Sequence, residues 1–234
     1  MTRQLNSLTE LSIAELIFDL IQSIESVQKN EDKYYIQRYR LFSRFDEGIV
    51  LDEEAWYSVT PEEIAYHVAT LVPNTNSIIC DVFCGAGSNL AHFINTSQYS
   101  IGLDINFERL ILSKNTVHIY NRDSLHSYDV VCADAFMIGR LFRKGLIEFI
   151  HVSPPWGGPS YLQRSVYCLD LKFKSLLENC CDMCQSTVVA YLPKNTSLDW
   201  LMQISIFAKI KVTCVEQIFL NQKLKALLVY FRNK

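Results

Sequence analysis

Short apolar runs alternate with helix-like segments through the carboxyl-terminal two thirds of the chain. The apolar runs are SIICDVFC, SIGLDIN, DVVCADAF, FIHVSPPW and TVVAYLP, and sequences such as NLAHFIN and ERLILSKNTVHIY separate the first of them. Runs of this length, bounded by Gly or Pro, predict buried strands. Strands that alternate with helices predict a Rossmann-like α/β fold, with a mainly parallel sheet covered on both faces.

Segments of a different kind flank this alternating region. At the carboxyl end, KVTCVEQIFLNQKLKALLVYF predicts two strands joined by a polar turn at residues 221–223, which adds an antiparallel hairpin to the sheet. At the amino end, apolar spacing of three and four over residues 5–29 predicts an amphipathic helix. Thr60 and Glu63 have the spacing of a capping box at the start of another helix. We therefore divide the chain into a helical subdomain, residues 1–60, and a core, residues 61–234.

Composition narrows the class of protein. Of the 234 residues, 49% are hydrophobic and 20% are charged, which is enough apolar material for a substantial core. No apolar run is long enough to cross a membrane, and the amino-terminal residues lack the apolar centre of a signal peptide. We therefore expect no membrane partner. A nuclear or cytoplasmic location follows by default.

The eight cysteines do not resemble a disulfide framework, because several lie in apolar strand-like runs where Cys acts as a small buried hydrophobe. The CxxC pair of Cys181 and Cys184, next to Cys180, has no second ligand pair, so it is weak evidence for zinc. We expect helix packing for this cluster and no bound metal.

The carboxyl ends of three predicted strands carry the residues expected to bind a cofactor, since ligands of open α/β sheets bind there. The first strand ends in an acid and a glycine-rich loop, which permits a tight turn and close approach of a ligand. The second ends in an acid that can accept hydrogen bonds from both hydroxyls of a ribose. The residues at the end of the third strand are placed to contact an adenine ring. The candidate residues are Asp81, Gly85, Gly87, Asp104, Asp134 and Ala135.

Two cofactors fit a glycine-rich loop followed by a ribose-binding acid. A dinucleotide needs a third glycine so that the helix amino terminus can meet its pyrophosphate, and Leu90 occupies that position, which disfavours NAD. S-adenosylmethionine has no phosphate but carries a sulfonium and an amino group, and Asp81 suits that positive charge. The loop alone is also compatible with a plain strand-to-helix turn. The three strand ends together favour S-adenosylmethionine, with S-adenosylhomocysteine as the product.

The stretch HVSPPWGGP, after the fourth strand, resembles the [DNS]-P-P-[YFW] motif of methyltransferases that act on exocyclic or planar amines. The prolines fix the backbone so that its carbonyl groups, together with Ser153, can accept hydrogen bonds from an amine and orient it. The ring of Trp156 would attract a cationic 7-methylguanine. The alternative is a core tryptophan beside a proline turn. We predict that Ser153, Pro154 and Trp156 are the catalytic residues.

Four stretches resemble the RNA cap guanine-N2 methyltransferases, the trimethylguanosine synthase family. They are KYYIQRYRLFSRFDEGIVLDEEAWYSVTPEEIA, DVFCGAGSN, VSPPWGGPSY and FLNQKLKALLVYF. The first stretch and SPPWGGP are distinctive, whereas DVFCGAGSN alone indicates only a methyltransferase.

The resemblance implies a class I methyltransferase that uses S-adenosylmethionine to methylate the exocyclic N2 amine of a 7-methylguanosine cap. The products would be 2,7-dimethylguanosine and 2,2,7-trimethylguanosine caps. The partner would be the capped 5′ end of small nuclear or nucleolar RNA, and the location the nucleus or nucleolus, with the cytoplasm as an alternative.

The resemblance also implies roles for individual residues. The amino-terminal subdomain would help close the active site, with Phe42 and Thr60 at the cofactor. Lys194 stands where the family usually has Arg, so the charge is kept but the planar fork that binds phosphate at two points is lost. The positions implied to bind the cap are Trp156, Ser153, Asn115, Lys33, Ser58 and Lys194.

Two other functions share some of these features. One is a different nucleic-acid exocyclic-amine methyltransferase, which would not require a methylated cap. The other is a cap-binding protein without turnover, which the intact cofactor residues disfavour. The basic residues Arg38, Arg40 and Arg44 are open to two interpretations, phosphate contact or a solvated face that pairs with Glu53 and Glu54.

Overall fold

The computed structural model describes residue 15 and residues 34–122, 126–158, 160, 166–167 and 170–234. At its centre, seven strands form one sheet. The strands are β1 (Ile78–Val82), β2 (Tyr99–Asp104), β3 (Ser127–Cys132), β4 (Ile147–Val152), β5 (Cys184–Pro193), β6 (Ile210–Leu220) and β7 (Lys223–Asn233). Their order is β3-β2-β1-β4-β5-β7-β6, with β1 to β5 parallel and β7 antiparallel to both of its neighbours. The predicted fold class is confirmed.

Helices cover both faces of this sheet. Successive strand residues point to opposite faces, so β1 buries Ile79 on one face against Phe93 and Val82 on the other against Phe173 and Leu177. No helix within the described ranges is both long and apolar enough to cross a membrane. The helices are α1 (Arg38–Leu41), α2 (Ala55–Ser58), α3 (Glu62–Ala69), α4 (Ser88–Phe93), α5 (Phe107–Asn121), α6 (Ile138–Leu141), α7 (Leu171–Met183) and α8 (Leu198–Phe207).

Residues 34–60 form short helical turns that pack on α5 through their own apolar cluster, which includes Phe45 and Trp56. Arg109 of α5 binds this segment through Asp52 at 3.1 Å and through Glu54. Burial alone would lower the pKa of Arg109, but the hydrogen bonds to both carboxylates outweigh it and raise the pKa. The segment is therefore helical and attached to the core, while the boundary at residue 60 stays a prediction. The amphipathic helix predicted over residues 5–29 lies outside the described residues, apart from residue 15.

The predicted capping box at the start of α3 is wrong. The helix begins at Glu62, its cap residue is Pro61, and no side chain caps it. Thr60 instead faces α4, where its hydroxyl accepts a hydrogen bond from Asn89 Nδ2 at 3.0 Å. Its carbonyl accepts another from Ser88 Oγ at 2.5 Å. A tertiary partner has therefore replaced the local one.

The carboxyl-terminal hairpin turns within two residues. Asn221 and Gln222 have φ values of 50° and 61°, the left-handed conformation that matches the twist of paired strands in a tight hairpin. Because Ala226 of β7 pairs with Pro193 at the carboxyl end of β5, this turn lies beyond the carboxyl ends of the parallel strands. The hairpin thus reaches the edge of the sheet where ligands bind in such folds.

Candidate active site

The glycine-rich loop after β1 uses its two glycines for different purposes. At Gly87, with φ 86°, a Cβ atom would lie 2.6 Å from Ser113 Oγ and 2.9 Å from Ser113 Cα, so the loop packs directly on α5. At Gly85, with φ 53°, a Cβ atom would have no neighbour within 4 Å. One glycine permits close packing, and the other leaves the backbone open towards a ligand.

The acids at the ends of β2 and β3 are held by backbone amides. Asp104 is only 7% exposed, and it accepts hydrogen bonds from Gly85 N at 3.0 Å and Asn106 N at 2.8 Å. This fixes the carboxylate beside the glycine-rich loop, as a ribose-binding acid requires. Asp134 is exposed and accepts from Phe136 N at 3.0 Å.

A cavity of about 600 Å³ opens beside these strand ends. Ile105, Asp134, Ala135 and Phe136 line it from the β2 and β3 loops, and α7 supplies the opposite wall, which includes Asn179. Its volume lies within the range of about 300–1,000 Å³ that is usual for small-molecule sites. The open backbone at the glycine loop, the fixed acid and this cavity together fit S-adenosylmethionine. The sequence did not indicate α7 as a wall, because that helix is remote in the chain.

Asp81 lies on β1 directly opposite His151 of β4. Both side chains are 0% exposed, and His151 Nδ1 is 2.8 Å from Asp81 Oδ1. Burial raises the pKa of Asp81, while the hydrogen bond with His151 opposes that rise. Asp81 and His151 therefore form a buried pair that links β1 to β4. The carboxylate of Asp81 is fully buried. Its predicted direct contact with the cofactor stays a prediction.

The SPPW loop continues from β4 and lies next to the glycine-rich loop, because β4 pairs with β1. Ser153 N donates a hydrogen bond to Val82 O at 3.1 Å, which ties the start of the loop to the end of β1. Pro154 is buried and Trp156 is half-buried. The Trp156 indole N–H donates to Tyr191 O at 3.3 Å, and the two rings are 5.1 Å apart at 37°. The ring of Trp156 is thus held in place by β5, a role for Tyr191 that the sequence analysis missed.

The amino-terminal segment reaches the SPPW loop. A Cβ atom at Gly158 would lie 3.8 Å from the Tyr57 ring, so α2 and this loop are in contact, and exposed Ser58 follows directly. Asn115 Nδ2 donates to Gly48 O at 2.7 Å. This places Asn115 at the junction between α5 and the segment.

The remaining predicted residues lie in different settings. Phe42 is 0% exposed within the apolar cluster of the amino-terminal segment, so its cofactor contact stays a prediction. Lys194 is exposed, three positions beyond Tyr191 at the end of β5. Lys33 lies outside the described residues.

The arginines of the amino-terminal segment have local partners. Arg38 pairs with Asp46 at 3.3 Å, and Arg44 pairs with Glu47 at 2.7 Å. Glu54, one of the acids considered as their partner from sequence, pairs with α5 instead. Arg38 and Arg44 therefore pair with acids of their own segment other than Glu54.

The cysteines that the structure describes are all free thiols. Cys180 and Cys181 are buried and Cys184 is half-buried, and burial raises the pKa of each thiol, to about 11 for Cys184. Within the described ranges, no group of three or more His, Cys, Asp or Glu side chains is arranged to hold a metal ion. The cluster packs α7 against the sheet.

The strand order, with its antiparallel β7 and a glycine-rich loop after β1, is that of a class I methyltransferase. Solved structures share this fold at 10–12% identity, which shows the fold alone. A methyltransferase of Porphyromonas gingivalis W83 has a TM-score of 0.70 at 12% identity and covers 99% of this chain and 59% of its own. Magnesium protoporphyrin IX methyltransferase of Synechocystis PCC 6803 with bound S-adenosylmethionine has a TM-score of 0.55 at 10% identity, covering 88% and 100%.

Sequence comparison is more specific. The profile of the RNA cap guanine-N2 methyltransferases matches residues 76–234. Trimethylguanosine synthase of Schizosaccharomyces pombe is 36% identical over 186 residues, which are 74% of this chain and 74% of that protein. The Saccharomyces cerevisiae trimethylguanosine synthase is 32% identical over 200 residues, 79% of this chain and 63% of that protein. The chain therefore belongs to the RNA cap guanine-N2 methyltransferase family. It is an S-adenosylmethionine-dependent enzyme, as the sequence analysis predicted.

Proposed function

We propose that this chain methylates the N2 amine of a 7-methylguanosine cap at the edge of the sheet where the glycine-rich loop and the SPPW loop lie side by side. The observation that carries the proposal is the attachment of Ser153 to Val82 beside that glycine loop, together with the fixed position of Trp156 against Tyr191. These contacts bring the acceptor motif and the cofactor loop to one edge of the sheet.

Trp156 would stack on the methylated base. A 7-methylguanine carries a positive charge, and an indole face attracts a flat cation by roughly 2 kcal/mol or more when water is excluded. The hydrogen bond to Tyr191 fixes the plane of the Trp156 ring before the substrate binds. Binding therefore costs little conformational entropy for this side chain. This accounts for a requirement that the guanine already be methylated at N7.

Ser153 and the carbonyl of Pro154 would orient the amine. Each can accept a hydrogen bond from an N–H group, which leaves the nitrogen lone pair directed towards the methyl donor. S-adenosylmethionine supplies an electrophilic methyl group on its sulfonium. No carboxylate of this chain replaces Ser153, so positioning carries most of the catalysis.

The cofactor would lie along the ends of β1 to β3. We assign Gly85 and Gly87 to the loop beneath it, Asp104 to its ribose and Ala135, beside Asp134, to its adenine. Thr60 would act by holding the start of α4 against that loop. Ser58, Asn115 and Lys194 would meet the cap nucleotide or its phosphates, with Lys33 as a further phosphate contact.

The cellular substrates would be capped small nuclear and nucleolar RNAs, acted on in the nucleus. The similar trimethylguanosine synthases support both methyl additions, to the dimethylated and then the trimethylated cap. The family membership supports the capped 5′ end as substrate.

A methyl-transfer assay tests this proposal. Labelled S-adenosylmethionine is incubated with 7-methylguanosine diphosphate or guanosine diphosphate, and the products are separated by mass. We expect transfer only to the 7-methylated nucleotide, and the mass counts the methyl groups added. Equal transfer to both would favour another exocyclic-amine methyltransferase. Absence of transfer with cofactor bound would refute the cap assignment.

Replacement of Trp156 by Ala tests the stacking role. A loss of about 2 kcal/mol corresponds to roughly a 30-fold lower kcat/KM for the cap nucleotide. Cofactor affinity measured by calorimetry should stay within about twofold. Trp200→Ala is the matched control, because that half-buried tryptophan packs on the opposite face of the sheet. Loss of cofactor binding in Trp156→Ala alone would contradict the assignment.

A further inference from the structure

Four cationic side chains from three separate elements meet at the carboxyl edge of the sheet. Arg40 belongs to α1, Lys194 follows β5, and Lys223 and Lys225 begin β7. Because Pro193 pairs with Ala226, Lys194 and Lys225 extend from neighbouring strands at the same edge. Burial lowers the pKa of Lys225, and the charges of Arg40, Lys194 and Lys223 lower it further, as expected for cations that lie close together.

None of these four has a carboxylate partner among the described residues. The three lysines are exposed. Arg40 has a hydrogen bond to the neutral Gln37 side chain at 3.3 Å. In contrast, the other arginines of that segment have acids beside them. The chain as a whole carries a net charge of −3, so this concentration of positive charge is local. Such a cluster attracts an anionic ligand.

The position of the cluster relative to Trp156 defines which anion would reach it. Trp156 contacts Tyr191, and Lys194 follows Tyr191 by three residues, roughly 10 Å along the chain at the rise of an extended strand. Because Pro193 pairs with Ala226, Lys225 lies beside Lys194 on the next strand, and Lys223 lies two residues further towards the hairpin turn. A strand of RNA whose cap stacks on Trp156 would therefore pass its cap phosphates near Lys194 before its first transcribed nucleotides meet the hairpin.

We propose that Arg40, Lys223 and Lys225 bind the backbone phosphates of the transcribed nucleotides that follow the cap. This inference rests on the proposed cap methylation and extends it from the cap nucleotide to the RNA body. The contacts are to phosphate, so they carry no sequence preference. They make capped RNA a better substrate than the cap structure alone.

The test compares two substrates and two double variants. The substrates are the cap dinucleotide and a capped RNA of about ten nucleotides, long enough to reach past the hairpin. The test variant is Lys223→Gln with Lys225→Gln. The control is Lys209→Gln with Lys211→Gln, which removes the same charge at the opposite end of the same hairpin, roughly 30 Å away.

Counterion release sets the size of the effect. Each phosphate contact on a single strand contributes a slope of about 0.7 in log affinity against log salt, so loss of two contacts at about 0.1 M salt raises KM roughly 25-fold. We expect that rise for the longer RNA, a salt slope lower by about 1.4, and an unchanged KM for the cap dinucleotide. The control variant should match the parent protein on both substrates.

Three results would overturn the proposal. First, the parent protein could show the same KM for both substrates. Second, the test variant could show an equal rise in KM for both substrates. Third, the control variant could show as large a rise in KM for the longer RNA as the test variant. An equal loss would assign the two lysines to the cap phosphates. If the parent transfers methyl to neither substrate, the proposed function fails separately. In that case, fluorescence anisotropy measures the affinity of each protein for the same capped RNA. Equal affinity of the test variant and the parent would refute the phosphate contacts.

Discussion

The buried pair of His151 and Asp81 yields a stability prediction that is independent of any ligand. The substitution is His151→Phe, which keeps a ring of similar size beside Phe93, whose centroid lies 5.8 Å from that of His151. The packing is thus largely retained while the hydrogen bond to Asp81 is lost. What remains is a fully buried carboxyl group without its side-chain partner.

The expected loss follows from that burial. Removal of one partner of a buried charged pair costs roughly 3–5 kcal/mol, because the remaining charge is left uncompensated. For a domain of this size each kcal/mol lowers Tm by about 2–4 °C, so Tm should fall by roughly 6–20 °C. The matched control is His67→Phe, since His67 also lies 2.8 Å from a carboxylate, that of Glu216, but is 42% exposed. Such a surface pair is worth at most about 1 kcal/mol.

The pH dependence has a defined sign. Burial holds the pKa of Asp81 above its ordinary value in the folded protein, and loss of His151 removes a contact that lowers it. The folded state of the variant therefore binds a proton more readily than the unfolded state, so its stability rises as pH falls through the folded pKa towards about 3.9. The deficit of His151→Phe relative to the parent should shrink from about pH 7 to about pH 5.

Urea denaturation followed by circular dichroism measures these free energies. Adding Asp81→Asn to His151→Phe removes the charge and should recover about 1–3 kcal/mol at neutral pH. A loss of stability in His151→Phe no greater than that in His67→Phe would refute an uncompensated buried charge as the cause. Further destabilisation on adding Asp81→Asn to His151→Phe would refute it as well.

Two further predictions concern the glycine-rich loop and the amino-terminal segment. Gly87→Ala should cost about 2–5 kcal/mol in urea denaturation, because its Cβ would overlap Ser113 and its φ of 86° adds backbone strain. Gly85→Ala has open space around it, so it should cost only about 1–2 kcal/mol from backbone strain. It should mainly weaken cofactor binding in calorimetry. Unchanged cofactor affinity in Gly85→Ala would contradict its assignment. Arg109→Ala leaves Glu54 unpaired and should loosen the amino-terminal segment. We expect faster limited proteolysis within residues 34–60 while the core stays intact. An unchanged cleavage rate would show that apolar packing alone holds the segment on α5.

Much of the fold and of the site was readable from local sequence. The alternation of apolar runs and helices determines the class of fold, because burial on both sheet faces requires apolar strands and a covering helix between them. The tight hairpin is encoded at Asn221, where a residue tolerant of positive φ lies between two strand patterns. Gly85 and Gly87 marked the loop, and SPPW marked the acceptor, because each motif is defined by backbone constraints within a few residues.

Contacts between distant elements were decided only by the tertiary structure. The crossing that places β4 beside β1 pairs His151 with Asp81, and the placement of β5 supplies Tyr191 beneath Trp156. The Thr60 hydroxyl accepts a hydrogen bond from Asn89 of α4 and does not cap α3, the helix that follows it in the chain. The cluster of cations at the hairpin likewise depends on three elements that meet at one edge. Periodicity encodes which side chains are buried, whereas the strand order determines which of them meet, and that order is set by the energy of packing the whole sheet.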